Sequence, residues 1–304
     1  MQALFIGQAY IDVTFLTDIM PKGDEKAIAK DYAVSFGGNA VTAGFCCAKL
    51  GGKPELLCSV ADDWLGRMFR DMAMQYGITV HSRKVKESSL SFIMPKAGKR
   101  AIVRCRDDEY LHPFPPLTIT DLKALHLDGH MPDAALHYAK ACRQEGKLTS
   151  LDGGAVRENT DELLEFIDAA VVSERFCEQL GKSTGEMLNY LRSKGCPIGA
   201  VTLGEHGTVW YEGSGPDQVL PALDVPLAKV IDSNGAGDIF HGAYITSYLR
   251  NPNGSWEDHF KFARGASTHS IQHLGNEQSL PTLEDIETAI ATFPEKAVGA
   301  VNPA

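Results

Sequence analysis

The sequence lacks a long apolar segment. No hydrophobic run approaches the roughly 20 residues that a membrane helix needs, although 44% of the 304 residues are hydrophobic. The first residues, MQALFIGQAYID, change to polar residues after a very short apolar stretch and carry no basic leader. They predict a buried first strand, and we expect neither a signal peptide nor a membrane span.

Paired cysteines and excess basic charge are also missing. The seven cysteines form no CxxC pair, and their odd number excludes a complete disulfide framework, so a reducing, cytoplasmic setting is expected. The formal net charge of −10 offers no basic stripe for nucleic acid. An anionic ligand would have to be held locally by dipoles, a metal or a few cations.

The order of the predicted elements indicates an α/β protein. Short buried strands are expected at residues 3–6 and 124–127 and in LTSLD, AAVVS and GAVTL, with helical segments between them. Strands separated by helices imply a parallel sheet that is covered on both faces. The chain shows no internal repeat or linker, and we expect a single domain over residues 1–304.

One segment departs from this alternation. SLSFIMPKAGKRAIVRCRDD contains two β-rich stretches around a Lys-Ala-Gly-Lys turn, which predicts a hairpin inserted into the α/β chain. Its second stretch places Arg104 and Arg106 on one face and Val103 and Cys105 on the other. Either arginine could reach an anionic substituent of a ligand, and the alternative is a solvated face.

Small residues stand beside carboxylates in DSNGAGDIF, residues 232–240. Gly-Ala-Gly permits close backbone approach, and the following IFHGAYITSYL predicts a helix. The free N–H groups at the start of that helix, together with its dipole, would favour a phosphoryl group. Asp238 in the first turn could accept a proton from an attacking hydroxyl. The alternative is a plain capped helix after a tight turn.

Two motifs together carry a family resemblance. FGGNAVTAGFCCAKLGG and DSNGAGDIFHGAY resemble the N-terminal and C-terminal signatures of the PfkB/ribokinase family of carbohydrate kinases. The resemblance covers nearly the whole chain. It implies an α/β fold, the ribokinase-like three-layer α/β/α sandwich with a central, mostly parallel sheet. It also implies a small inserted β-sheet lid, with lid segments at about residues 13–35 and 88–110.

The implied activity is ATP-dependent transfer of the γ-phosphoryl group to a hydroxyl of a small sugar of the ketose or pentose type. Mg²⁺ is the implied metal, and a homodimer through the lid is expected. The endings FHGAY and LDGG look closest to a ketohexokinase- or sulfofructose-kinase-like branch, although His130 stands where a sulfosugar enzyme would carry an arginine. A nucleoside kinase of the same family and a catalytically silent sugar or nucleotide sensor remain alternatives.

The resemblance assigns the catalytic loop first. Asp238 matches the family's catalytic base. The amides of Gly235, Ala236 and Gly237 match the hole that holds the transferring phosphate.

On the acceptor side, Asp12, Gly38 and Asn39 match positions that bind sugar hydroxyls, and Arg104 is a further candidate on the lid. Carboxylates and amides can distinguish hydroxyl donors from acceptors. For Asn39 alone, a helix N-cap is the alternative.

On the nucleotide side, the stretch TLGEHG matches a nucleotide-facing turn, and a plain hairpin turn is the alternative. A loop near the catalytic motif matches a region that arranges a monovalent cation in some members. The residues concerned are Thr202, Gly204 and Gly207 for the nucleotide and Asp232, Asn276 and Ser279 for the cation region.

One window departs from the family pattern. Many members carry Asn-x-x-Glu after the strand that corresponds to AVVS, where this chain has Ser173, Glu174, Arg175 and Phe176. We expect Glu174 to act in place of the family's glutamate at the metal, with Asp232 as a second candidate ligand.

Three further patterns are not expected to form sites. GKST at residues 181–184 lacks the leading glycine of a phosphate loop, and Ser183 with Glu186 predicts a capping box. His269 and His273 lack a recognisable third zinc ligand. His241, in the helix after the catalytic loop, is expected to pack.

Overall fold

The structure, a computed structural model, describes residues 1–17, 19, 22–96 and 99–297. Thirteen strands are present in this part of the chain. In chain order they are Ala3–Gly7 (β1), Tyr10–Leu16 (β2), Asp31–Gly37 (β3), Pro54–Val60 (β4), Thr79–Lys84 (β5), Leu90–Lys96 (β6), Lys99–Cys105 (β7), Ala124–Leu127 (β8), Leu148–Gly153 (β9), Ala169–Ser173 (β10), Ile198–Thr202 (β11), Thr208–Glu212 (β12) and Gln218–Leu220 (β13).

The described chain contains nine α-helices, of which the last three follow β13. They are Asn39–Lys49 (α1), Trp64–Gln75 (α2), Pro132–Gln144 (α3), Thr160–Leu164 (α4), Glu174–Gln179 (α5), Thr184–Ser193 (α6), Ala236–Arg250 (α7), Trp256–Ser270 (α8) and Leu283–Thr292 (α9). The capping box of Ser183 and Glu186 at the start of α6 is confirmed. No helix of the described residues is long and apolar enough to cross a membrane.

The larger sheet has nine strands in the order β13-β12-β11-β10-β9-β8-β1-β4-β5. The seven strands from β11 to β5 pair in parallel, and β12 and β13 extend one edge as antiparallel strands. Strands β1 and β8 are buried along their whole length, as expected for strands covered on both faces. The predicted mostly parallel central sheet is confirmed.

Alternate residues of the sheet enter two separate apolar cores. Phe5 packs with Phe45 of α1 and Ile245 of α7 on one side. Leu4 and Ile6 pack on the other side with residues of α3 such as Tyr138. Because one sheet lies between two helical layers, the molecule is a three-layer α/β/α sandwich.

The second sheet has four strands in the order β3-β2-β6-β7. The predicted hairpin is confirmed by the antiparallel pairing of β6 with β7, although residues 97–98 of its turn lie outside the described residues. The lid segment expected at about residues 13–35 begins inside β2 and ends inside β3. On one face of this sheet Asp12, Ser91 and Ile93 are buried.

Candidate active site

Polar residues from five elements meet at the carboxyl edge of the large sheet. Asp128 follows β8, Asp152 lies near the end of β9, and Asn39 opens α1. The small sheet contributes Asp12 from β2, and the first turn of α7 contributes Asp238. In open parallel sheets, ligands bind in the crevice outside the carboxyl ends of the strands.

The start of α7 presents bare backbone. Gly235 is its N-cap, with a left-handed φ of 73°, and among the described residues no side chain caps this end. The first N–H groups of an α-helix have no intrahelical acceptor, so those of Ala236, Gly237 and Asp238 are available to a ligand. A Cβ on Gly235 would lie 2.4 Å from Asn276 Oδ1, whereas a Cβ on Gly237 would have no described atom within 4 Å beyond its chain neighbours and the backbone of its own helix.

Asp238 lies between this backbone and the buried carboxylates. Burial raises the pKa of its carboxyl well above that of an ordinary aspartate, and the negative charge of Asp152 raises it further. Asp12 acts in the same direction, while Arg100 and Arg104 oppose the shift. A carboxylate whose pKa is raised toward neutral pH is matched to general-base work.

Asp12 is held by amides from distant parts of the chain. Asn276 Nδ2 donates to Asp12 Oδ2 at 3.1 Å, and Asn234 Nδ2 donates to the same oxygen at 3.4 Å. The missing Cβ of Gly37 leaves room for the carboxyl group, since a Cβ there would lie 2.3 Å from its carbon. Burial raises the pKa of Asp12 to about 6.

Asn39 does not cap its helix. The N-cap of α1 is Gly38, at φ 102°, and a Cβ on Gly38 would lie 1.9 Å from the carbonyl oxygen of Gln8, so glycine is required. Asn39 Nδ2 instead donates to Asp152 Oδ2 at 3.1 Å. The capping alternative for Asn39 is therefore wrong, and its amide faces the site.

Sequence reasoning missed Asp128 and Asp152. Burial raises the pKa of Asp152, and the hydrogen bond from Asn39 opposes that shift. Asp128 accepts from the N–H of Ala40 at 3.4 Å and from the N–H of His130 at 3.0 Å. Burial opposes ionisation of Asp128, but the charges and hydrogen bonds of His130 and the charge of Arg157 hold its pKa at about 2.

The lid arginines differ in their surroundings. Arg104 is exposed and lies over the ring of Tyr10, 5.3 Å from its centroid. Arg106 pairs with Asp108 at 2.9 Å on the surface. Arg100 reaches the carbonyl oxygen of Ser233 at 3.4 Å, so the lid contacts the catalytic loop directly.

The predicted nucleotide turn lies at the end of β11. Gly204 opens a 3₁₀ turn that leads into the antiparallel strand β12, and Gly207 adopts φ 92°. Ser173 at the end of β10 is in register with Thr202, so Glu174 shares the edge of the sheet with this turn. Glu174 is exposed.

The predicted cation residues lie together. Asp232 accepts from the N–H groups of Asn234 and Gly275, at 2.8 and 3.2 Å. Ser279 Oγ donates to the carbonyl oxygen of Gly275 at 2.7 Å, and Asn276 follows in the same loop. The loop that contains Gly275, Asn276 and Ser279 therefore packs against the loop that begins at Asp232.

His269 and His273, for which no zinc site is expected, lie side by side on and after α8. Their rings stack with centroids 4.3 Å apart, and Asp285 Oδ1 lies 3.9 Å from His269 Nδ1. His126, Asp152 and His241 do form a buried group, with ligand atoms within 4.8 Å of one another. His241 therefore lies beside the site's carboxylates as well as packing in the core.

Comparison with known proteins identifies the family of this chain. Residues 2–283 match the model of the pfkB family carbohydrate kinases. The chain belongs to the pfkB family of carbohydrate kinases. This kinase is 22% identical over 298 residues to the ribokinase of Haemophilus influenzae, covering 92% of this chain and 95% of that protein. It is 27% identical over 239 residues to the aminoimidazole riboside kinase of Salmonella typhimurium, and the match covers 70% of this chain and 74% of that protein.

A solved structure shows the same fold as this kinase. Arabidopsis thaliana ribokinase complexed with ribose and ATP superimposes with a TM-score of 0.77 at 21% identity, covering 95% of this chain and 98% of the other. The predicted ribokinase-like fold is confirmed.

Proposed function

We propose that the protein transfers the γ-phosphoryl group of ATP to a hydroxyl of a small sugar. The observation that carries the proposal is the position of Asp238, between the bare N–H groups of α7 and the buried carboxylates of Asp12 and Asp152. A phosphate fits one side and a polyhydroxylated acceptor fits the other. The names of the relatives, several of which are ribokinases, agree with this choice.

The donor phosphate binds at the start of α7. The N–H groups of Gly235, Ala236 and Gly237 and the positive end of the helix dipole stabilise the charge that spreads over the phosphoryl oxygens in the transition state. The nucleotide extends along the edge of the sheet toward Thr202, Gly204 and Gly207. Exposed Gly237 leaves this face open to a bulky ligand.

The acceptor sugar binds under the lid. Asp12, Asp152 and the amide of Asn39 receive its hydroxyls, with Gly38 allowing close approach and Arg104 closing the pocket from the lid. Asp238 takes the proton of the attacking hydroxyl while that oxygen bonds to the γ-phosphorus and the bond from phosphorus to the bridging oxygen of ADP breaks. Burial excludes water, which would otherwise compete as the acceptor.

Mg²⁺ fits the edge of the sheet near Glu174. Among the described residues this exposed carboxylate enters no ion pair, and Mg²⁺ typically keeps several waters and takes one or two carboxylates together with substrate phosphates. When bound, the ion neutralises charge on the phosphates. Asp232, whose oxygens each accept one N–H, is proposed for the monovalent-cation region, with Asn276 and Ser279.

The outer face of the lid supports a homodimer. Tyr32 and Val103 are 64% and 63% exposed on the face opposite Asp12, where Phe15 and Phe92 also lie. An apolar sheet face of this kind is usually covered. A monomer by light scattering at micromolar concentration would count against this assembly.

A cytoplasmic location is proposed as well, since all seven cysteines, which lie in the described chain, are free.

The test is a ³¹P NMR assay of ATP and Mg²⁺ with a panel of ketoses, pentoses and nucleosides, preselected by thermal shift with an ATP analogue. We expect a phosphomonoester signal with a sugar that is absent in the Asp238→Asn protein. Turnover of nucleosides alone would favour the nucleoside kinase. Ligand binding without any turnover would favour the silent sensor and overturn the proposal.

A further inference from the structure

Four buried polar side chains form a chain beneath Asp152, between the sheet and α7. His126 Nδ1 lies 3.0 Å from Ser150 Oγ, which lies 2.5 Å from the hydroxyl of Tyr244. That hydroxyl lies 2.9 Å from His241 Nδ1. His126, Ser150 and Tyr244 are fully buried, and His241 is 4% exposed.

The two ends of this chain are unequal. His241 Nε2 lies 3.6 Å from Asp152 Oδ1. At the other end, His126 Nε2 is buried and has no hydrogen-bond partner among the residues that the structure describes. Among the described residues, only the His241 end of the chain therefore has a carboxylate oxygen within 4 Å, although the ligating atoms of His126 and Asp152 also lie within 4.8 Å of each other.

Counting protons gives the chain a direction. Burial lowers the pKa of both imidazoles, so each ring carries one N–H, and the two hydroxyls bring two more protons. Three protons fill the three links, and the fourth lies on Nε2 of one ring. If the fourth proton lies on Nε2 of His241, it faces the carboxylate of Asp152. If it lies on Nε2 of His126, it is a buried donor without a hydrogen-bond acceptor, and His241 turns a lone pair toward Asp152.

We propose that His241 is a positioning residue for Asp152, and that His126, Ser150 and Tyr244 fix its ring in the tautomer that turns an N–H toward that carboxylate. The proposal rests on the proposed function, in which Asp152 receives an acceptor hydroxyl. Asn39 Nδ2 lies 3.1 Å from Oδ2 and His241 Nε2 lies 3.6 Å from Oδ1, so polar nitrogens approach the carboxylate from two sides. Its remaining lone pairs then point into the acceptor pocket at a fixed angle.

A bound cation would use the same atoms differently. Nε2 of His126 and of His241 would both be ligands with Asp152, so both rings would carry their protons on Nδ1. The three links would then hold four protons, and one buried hydroxyl would lose its acceptor. The hydrogen-bond count therefore favours the chain without a metal.

The first test is independent of activity. Long-range ¹H–¹⁵N spectra of histidine-labelled protein report the tautomer of each of the ten histidines. His241→Gln and His126→Gln assign the two signals. We expect the proton on Nε2 of His241 and on Nδ1 of His126. A proton on Nε2 of His126, or both rings protonated on Nδ1 with one zinc bound per chain after Zn²⁺ is added, would overturn the proposal.

The second test separates positioning from packing. His241→Leu removes the donor and should raise the acceptor KM about tenfold, with kcat and the ATP KM changed less than about twofold. His241→Gln, which can place an amide N–H near the same point, should restore most of the affinity. An unchanged acceptor KM in the leucine variant would contradict the proposal.

His259 is the matched control. His259 is also buried, and its Nδ1 lies 2.9 Å from Ser247 Oγ, while its Nε2 has no hydrogen-bond partner among the described residues. Unlike His241, it lies on α8. His259→Leu should lower the melting temperature as His241→Leu does and leave the acceptor KM unchanged. An equal rise in both variants would assign the effect to packing. If no acceptor is turned over at all, the proposed function fails. The NMR measurement of the histidine tautomers still tests the proposed role of His241, because it does not depend on activity.

Discussion

The two sides of Asp238 are built in different ways. The proposed donor side consists of backbone N–H groups in consecutive residues at the start of α7. The proposed acceptor side consists of side chains from separate elements, and its hydrogen bond between Asn276 and Asp12 joins residues 264 positions apart. A backbone site binds any group of the right charge, which suits a phosphate common to many reactions. A side-chain site can be changed residue by residue, which suits the choice of sugar.

Replacing the residue between the two sides should have the largest effect. Asp238→Asn removes the proposed base and keeps the shape of the side chain, so kcat should fall by about 10² to 10⁴. Steady-state assays at saturating ATP and sugar measure this change. A kcat within threefold of wild type would remove Asp238 from its role.

The same substitution should stabilise the fold at alkaline pH. The pKa of Asp238 is raised on folding, so the folded state loses stability as pH rises and the carboxyl ionises. The neutral amide avoids that loss. Melting curves from pH 5 to 9 should show a gain for Asp238→Asn that grows with pH; a gain largest at pH 5 would contradict the buried environment.

Gly237→Val tests the donor side. A side chain there would meet no described atom beyond its chain neighbours and the backbone of its own helix, and it would extend at the face where we propose that the phosphate binds. We expect kcat/KM for ATP to fall by about 10² to 10³ with an almost unchanged melting temperature. Unaltered ATP kinetics would place the phosphate elsewhere.

Gly235→Ala is the matched variant. Its positive φ and the closeness of Asn276 Oδ1 predict strain, so the melting temperature should fall. Because Asn276 also holds Asp12, the acceptor KM should rise as well.

Asp12→Asn tests the acceptor side with a smaller effect. The amide keeps the volume but loses the charge that receives hydroxyl donors, so the acceptor KM should rise about 10- to 100-fold. The ATP KM should stay within about twofold of wild type. A parallel rise in both constants would show that the two sides are not separable.

The smallest expected change concerns pH. Asp238 is surrounded by Asp152 and Asp12, which raise its pKa, and by Arg100 and Arg104, which lower it. Asp152→Asn removes one negative charge, so the acid limb of the kcat profile should move down by roughly one pH unit. A profile of kcat against pH at saturating acceptor measures the shift, and a limb that moves up would contradict the arrangement.

The same contrast explains what the sequence could predict. The donor side lies within DSNGAGDIF, so a local pattern contained both its glycines and its base. Asp128 and Asp152 were missed because each is a single carboxylate at or just after the end of a short strand, in HLD and SLD. The available signal was their position at the carboxyl ends of two predicted parallel strands, where ligands bind.

Other features depend on tertiary contacts alone. His126 and His241 approach each other only because β8 and α7 pack face to face, and no spacing in the sequence indicates this. The sequence did not separate the strands β2 and β3 within the expected lid segment at 13–35, because their pairing with each other and with β6 decides their extent.

The central claim is that Asp238 takes part in proton transfer and not in the binding of ATP or the sugar. Calorimetric titration of the Asp238→Asn protein tests this claim most directly. We predict that a non-hydrolysable ATP analogue and the identified sugar bind this variant with dissociation constants within about threefold of wild type, although turnover is lost. Loss of affinity for either ligand in parallel with the activity would contradict the account.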